Sequence, residues 1–266
     1  MIAAPDLDAY FARIEWGGAT SVGYETLAGI LLAHTARIPF ENLDVLLGRP
    51  IRLDLDGLES KLIRRKRGGY CFEQNLLFAA VLEQLGYRVD RLGARVRYRT
   101  TRVLPRTHML LRVETEGASY LADVGFGSEG LLHPVPLVAD QPSPQFVWTY
   151  RVVAEGELWI LQSRQGSAWQ DLYAFTLEPQ HLVDCEMASH YVSTHPDSRF
   201  VQTLTAQLPL PDVRFILRNR TFIAERPDRL AQTEVASDDD LLRVLAETFH
   251  LEFPEGTRFP IPSQTV

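Results

Sequence analysis

The sequence predicts an α+β protein whose helices and strands are segregated along the chain. Two observations carry this. Apolar residues recur at helical spacing through the first third, and the middle consists of short apolar-rich runs broken by Gly and Pro. Helices, then strands, then a smaller mixed part argue against a wound parallel sheet. At 266 residues the chain can bury a sizeable core in one to three compact units.

Asp6 can cap a first short helix carrying Tyr10, Phe11 and Ile14. A second helix is predicted over 24–36, where Leu27, Ile30, Leu31 and His34 share one face and Pro39 ends it. His34 on that apolar face reads as a core histidine. A third helix is expected near 58–65 and a fourth over 71–85, stopped by Gly86. Strands are predicted at 88–98, 107–115 and 119–124, with Glu116-Gly117 as the turn between the last two. More are expected near 146–153, 158–162 and 171–175, after a Pro-rich loop at 134–144. Residues 213–218 and 221–226 resemble a hairpin around Asn219. Ser237, followed by Asp238, Asp239 and Asp240, caps a helix through Phe249, and the tail after Pro254 is expected to be irregular.

Composition removes several function classes. The net charge is −7, so the chain lacks the global basic footprint of a nucleic-acid binder. The N-terminus carries Asp6, Asp8 and Glu15 rather than a basic start and an apolar core, and no apolar run approaches the ~20 residues of a membrane span. With only two cysteines, Cys71 and Cys185, a reducing, cytoplasmic setting is expected.

The richest segment is Arg67-Gly68-Gly69-Tyr70-Cys71-Phe72-Glu73-Gln74-Asn75. Two glycines free the backbone just before a helix, which places Cys71 at the helix N-terminus. Unpaired amides and the helix dipole there favour a thiolate, and Arg64, Arg65, Lys66 and Arg67 add positive charge to the neighbourhood. A cysteine at a helix start is also commonly just a small buried residue. His108 and Asp123 shift the balance towards chemistry. If the 116–117 turn has two residues, cross-strand partners have an odd sum of residue numbers, and 108 and 123 then point to the same face. An imidazole beside a carboxylate is a general base with a fixed tautomer. A three-residue loop would separate them.

Gly125-Phe126-Gly127-Ser128-Glu129-Gly130 matches a dinucleotide pattern by letter, but Leu131-Leu132-His133-Pro134 after it is no helix. It reads instead as a loop beside the site whose amides could meet phosphates. Cys185, His190, His195 and Asp197 do not have zinc-ligand spacing, so no metal is expected.

The chain resembles the arylamine N-acetyltransferase family, also called N-hydroxyarylamine O-acetyltransferases. The segment 67–75 fits the pattern R-G-G-x-C-x-E-x-N, and Pro39-Phe40-Glu41-Asn42-Leu43 fits P-F-E-N-L. Thr107-His108-Met109 and Asp123-Val124-Gly125-Phe126-Gly127 match the segments holding the family's histidine and aspartate. The resemblance runs from about Asp6 to Phe249. It implies a papain-like Cys-His-Asp arrangement on three domains, placed at 1–86 (helical), 87–200 (β-barrel-like) and 201–266 (an α/β lid). It implies acetyl-CoA as donor and ping-pong transfer to arylamines, arylhydrazines or N-hydroxyarylamines. By position, Cys71 is the nucleophile, His108 its base and Asp123 the orienting carboxylate. Phe40, Tyr70 and Phe126 fall in the acceptor pocket, and Thr107, Gly127 and Ser128 fall near coenzyme A. An amide synthase of polyketide assembly and a cysteine hydrolase or transglutaminase-like enzyme share such a triad and stay open as alternatives. The expected partners are small molecules only, with no nucleic acid or membrane.

Overall fold

The computed structural model describes residues 4–260. Helices Leu7–Ile14, Tyr24–Arg37 and Cys71–Leu85 form the first layer. Asp6 caps the first of these by accepting from the Ala9 N–H at 3.0 Å. The expected third helix is divided into an α-helical turn, Leu55–Leu58, and a π-helical stretch, Glu59–Arg64. Gly86 ends the fourth helix at φ 98°, a left-handed value that glycine adopts without a steric penalty.

The middle of the chain builds an antiparallel eight-stranded sheet that curls into a nearly closed barrel. In spatial order its strands are Val135–Pro136, Ala118–Ala122, Arg106–Thr115, Arg88–Val96, Ala168–Pro179, Leu158–Gln165, Trp148–Glu155 and Ser143–Gln145. The turn at 116–117 has two residues, both at positive φ (53° and 75°), as a type I′ hairpin requires. Thr115 pairs with Ala118 and Leu111 with Ala122, so paired residues have the odd sum the sequence reading needed. Alternation then divides the strand Arg106–Thr115 between two cores. Met109, Leu111 and Val113 pack with the helices, while Leu110 joins Leu121, Tyr173 and Phe175 inside the barrel.

A second antiparallel sheet has five strands: Phe40–Glu41, Thr205–Pro209, Arg214–Arg218, Thr221–Arg226 and Arg229–Glu234. Asn219 (φ 52°) turns the expected hairpin. Ser237 caps the helix Asp238–Phe249 by accepting from the Asp240 N–H at 3.0 Å, and Leu241, Leu245 and Phe249 cover the sheet. The edge strand Phe40–Glu41 comes from the first third of the chain, and Phe40 pairs with Gln207. Sequence periodicity missed this strand, the strand Arg229–Glu234, and the helix Leu182–Thr194. The last of these packs Cys185 and Val192 against the helical core. No helix among the described residues is long and apolar enough to cross a membrane.

Candidate active site

The turn before the fourth helix is built by close approach. A Cβ on Gly68 would lie 2.1 Å from the Pro39 carbonyl oxygen, and one on Gly69 would lie 2.7 Å from Glu73 Oε2. Those contacts exist because the backbone pairs with the P-F-E-N-L segment, the Glu41 N–H donating to Gly69 O at 3.0 Å. Gln74 Nε2 donates to Gly69 O at 2.7 Å, and its Oε1 accepts from His34 Nε2 at 3.2 Å. His34 Nδ1 then accepts from the Tyr10 hydroxyl at 2.8 Å. Burial lowers the His34 pKa to about 3. It is a neutral core residue, as its place on an apolar face suggested.

Cys71 follows as the first residue of the helix, 3% exposed, with its thiol 3.7 Å from the Thr107 carbonyl oxygen. His108 Nε2 lies 2.7 Å from Asp123 Oδ2, which leaves Nδ1 for the side of Cys71, whose charge favours the imidazolium. Asp123 is fully buried and has three further donors. The Tyr173 hydroxyl reaches Oδ2 at 3.0 Å, and Asn75 Nδ2 and the Gly125 N–H reach Oδ1 at 2.9 and 2.8 Å. A carboxylate so surrounded stays ionised. Burial works to raise the Asp123 pKa, but the His108 charge and these hydrogen bonds hold it below the ordinary carboxylate value. Burial works against the imidazolium too; Asp123 and Cys71 outweigh it and push His108 up to about 10. The result is a buried sulfur beside a protonated imidazole, itself held by an ionised carboxylate. That geometry suits nucleophilic attack by sulfur and proton return to a leaving group.

The basic run beside Cys71 does something other than expected. Lys61 Nζ lies 2.7 Å from Glu73 Oε1 and 3.2 Å from Asp44 Oδ2. Arg67 lies 2.6 Å from Glu41 Oε1 and 3.3 Å from Asp44 Oδ1, and Arg64 pairs with Asp56 and Glu59. These cations are spent on buried and surface carboxylates. Lys61, Arg64 and Arg67 thereby brace the turn that presents Cys71, Arg65 and Lys66 meet no carboxylate among the described residues, and His108 is the buried charged group beside the sulfur.

Phe126 stands over the imidazole, ring centres 5.0 Å apart, and Tyr173 at 4.7 Å. Phe40 is nearly buried and lies across from Phe200 at 5.8 Å. Tyr70 precedes Cys71 as the cap of its helix. It is fully buried, its hydroxyl 2.6 Å from Ser189 Oγ and its ring stacked on Phe200. Thr107 is partly exposed at the rim. In the glycine loop, Gly127 adopts φ 89°, and the Gly130 N–H closes a turn on Gly127 O at 2.8 Å. The Ser128 N–H donates to Gln207 Oε1 at 2.7 Å, so this amide already has a partner and is not free for a phosphate. Glu129 is buried, 3.0 Å from Arg214. Among the described residues no cluster of three or more His, Cys, Asp or Glu could hold a metal.

Asn75, Tyr173 and Gln207 belong to the site although only Asn75 lay in a motif, and none was given a role from sequence. Tyr173 and Gln207 lie in ordinary strand sequence, and only strand order brings them in.

The chain matches the N-acetyltransferase family model over residues 24–257. It is 44% identical over 209 residues to arylamine N-acetyltransferase of Escherichia coli K12, covering 78% of this chain and 74% of that protein. It is 39% identical to the Mycolicibacterium smegmatis arylamine N-acetyltransferase over 94% of this chain and 93% of that one. Among solved structures, that of the M. tuberculosis arylamine N-acetyltransferase superposes with a TM-score of 0.89 at 39% identity, over 92% and 93% of the two chains. The Mycobacterium marinum enzyme in complex with CoA gives 0.88 at 35% identity, over 92% of each.

Proposed function

The chain belongs to the arylamine N-acetyltransferase family and is an acetyl-CoA-dependent acetyltransferase, and we propose that Cys71 carries the acetyl group, His108 moves the protons and Asp123 fixes the imidazole. The observation that carries this is the 2.7 Å hydrogen bond between His108 Nε2 and the buried Asp123, with Cys71 buried at the start of its helix and close enough to favour the charged imidazole. The sulfur attacks the thioester carbonyl of acetyl-CoA, and the imidazolium stabilises the anion and protonates the departing coenzyme A thiolate. Neutral His108 then takes the proton of the incoming amine as its nitrogen attacks acetyl-Cys71, and the transfer is ping-pong.

Phe126 and Phe40 form the aromatic wall for the acceptor ring, with Tyr70 supporting them from behind through Phe200. Thr107 and Gly127 border the donor's path, where Gln207 now occupies the Ser128 amide. Arylhydrazines and N-hydroxyarylamines are acceptors of the same shape. The division proposed is at 1–86, 87–200 and 201–266, residues 1–3 and 261–266 lying outside those described; the helical core also takes in Met109, Leu111, Val113, Cys185 and Val192 from the second unit. The setting proposed is cytoplasmic.

The test is intact-mass measurement after mixing with acetyl-CoA without acceptor. One acetyl group should appear on the peptide containing Cys71, and it should leave when an arylamine is added. An adduct on Cys185, or none, would sink the assignment. Cys185 is poorly placed to compete, because burial pushes its thiol up to about 11.

A further inference from the structure

Arg99, Arg199 and Arg218 lie within charge range of one another, each tied to the neighbourhood of the loop that follows Asp123. Arg218 lies across from Thr205 in the five-stranded sheet. Thr205 Oγ1 accepts from Gln207 Nε2 at 2.8 Å, and Gln207 Oε1 accepts from the Ser128 N–H at 2.7 Å. Arg218 thus stands one strand beyond the loop that follows Asp123. Arg199 opens the short helix Arg199–Gln202, next to Phe200, whose ring is 5.8 Å from that of Phe40. Arg99 follows the strand Arg88–Val96 of the eight-stranded sheet. Its guanidinium lies 5.0 Å over the Tyr98 ring, and the Tyr98 hydroxyl reaches Glu129 at 3.3 Å.

All three side chains are open to solvent. Arg97, Arg106, Arg214 and Arg220, close by in sequence, each meet a carboxylate. Among the described residues, Arg99, Arg199 and Arg218 have no such partner. Partial desolvation, then the charges of Arg199 and Arg99, lower the Arg218 pKa. Unpaired like charges held together are unfavourable, the more notable in a chain of net charge −7. A polyanion would relieve them, and guanidinium forks suit phosphate oxygens.

We propose that Arg99, Arg199 and Arg218 hold the phosphate groups of coenzyme A, so that the pantetheine arm runs inward past Thr205, Gln207 and Ser128 to Cys71. The assignment rests on the acetyl-CoA reading of the site. It makes the trio a device for donor recognition that takes no part in bond making.

The test compares two donors: acetyl-CoA, and S-acetylpantetheine, which has the same thioester and arm but no phosphate. Arg218→Ala, and the triple variant Arg99→Ala/Arg199→Ala/Arg218→Ala, are assayed with an uncharged acceptor. Charge-assisted contacts of this kind should raise the triple variant's KM for acetyl-CoA by about tenfold or more, with kcat within about twofold. Its kcat/KM with S-acetylpantetheine should match wild type, and the salt dependence of KM for acetyl-CoA should flatten. An unchanged KM for acetyl-CoA overturns the proposal, as does an equal loss with both donors. A rise confined to KM for a carboxylated acceptor, such as 4-aminobenzoate, overturns it in favour of acceptor recognition. Acetylation of wild-type Cys71 by p-nitrophenyl acetate keeps the two readings apart. If that ester labels Cys71 and acetyl-CoA does not, the donor reading has failed, whatever the arginines do.

Discussion

Asn75 donates to Asp123 Oδ1 at 2.9 Å, and its amide also fills the gap where two strands part. The backbone ladder between Arg106–Thr115 and Ala118–Ala122 ends at the pair Leu111 and Ala122. Beyond it, Asn75 Nδ2 donates to Met109 O at 2.7 Å and Asn75 Oδ1 accepts from the Val124 N–H at 3.1 Å. One side chain from the helix that bears Cys71 thereby sets its distance to both His108 and Asp123. Asn75→Ala leaves a buried carbonyl and a buried N–H without partners, each costing about 1–3 kcal/mol. Chemical denaturation should report a loss in that range, and single-turnover acetylation should slow with it. Wild-type acetylation in a destabilised Asn75→Ala would show that the gap filler does not position the site.

Tyr173 and Asp123 can be separated by their pH profiles. Asp123→Asn removes the charge that keeps His108 protonated, and the corresponding change in serine proteases costs about 10⁴-fold in turnover. A smaller loss is expected here, because Cys71 also favours the charged form of the imidazole. Tyr173→Phe removes one hydrogen bond to a charged acceptor, worth about 1.5–3 kcal/mol. It should lower turnover modestly and move the acidic limb of the profile upward, since the carboxylate loses a donor. A profile identical to wild type would reduce Tyr173 to packing.

Gly125 brings the loop after Asp123 hard against the helix start that carries the sulfur. A Cβ there would lie 2.6 Å from the Cα of Cys71 and 2.8 Å from Asn75 Nδ2. Because one obstacle is backbone, Gly125→Ala must shift the helix start, at a cost of about 1–3 kcal/mol for overpacking. Turnover should fall sharply while far-UV circular dichroism stays native. Unimpaired turnover would mean that the sulfur tolerates displacement.

Stability should depend on pH through the His108–Asp123 pair. The His108 pKa is raised from 6.5 to about 10, so its contribution is fully present below 6.5 and is lost as pH rises through about 10. Seen from Asp123, whose pKa is lowered from 3.8, the same interaction is present above 3.8 and fades as pH falls through the lower value. His108→Gln cancels other titrations. The gap in melting temperature between wild type and this variant should be widest between pH 3.8 and 6.5 and narrow from there towards about pH 10. A gap that stays constant over that range would contradict a charged pair.

Much of this was legible in the sequence, and for identifiable reasons. The Glu116-Gly117 pair suggested a two-residue turn, and on that condition parity put His108 and Asp123 on one face, a condition the turn meets. Two glycines before a helical pattern marked the nucleophile's turn. The failures share another cause. Phe40–Glu41 is two residues long and has no period to detect. Arg229–Glu234 is exposed on both faces, so its sequence carries no burial pattern. The basic run was misread because charge counts ignore partners: Glu41, Asp44 and Glu73, which neutralise Lys61 and Arg67, are up to 26 residues away.

The pairing of Phe40 with Gln207 bears on the order in which the protein comes off the ribosome. Phe40 and Cys71 emerge early, but the strand that closes the wall behind Phe40 is made only in the last quarter of the chain. Until then Asn42 lacks the carbonyls of Phe200 and Thr203, which it meets at 2.7 Å, and the Phe40–Glu41 edge is unpaired. Contacts of such sequence separation form late. We therefore expect a chain truncated after residue 200 to show no turnover despite carrying all three of Cys71, His108 and Asp123. Residual acetyl transfer by that fragment would disprove this. On this expectation the first-made triad residues wait for the strand Thr205–Pro209, and a chain stopped short of it leaves the Phe40–Glu41 edge without its partner.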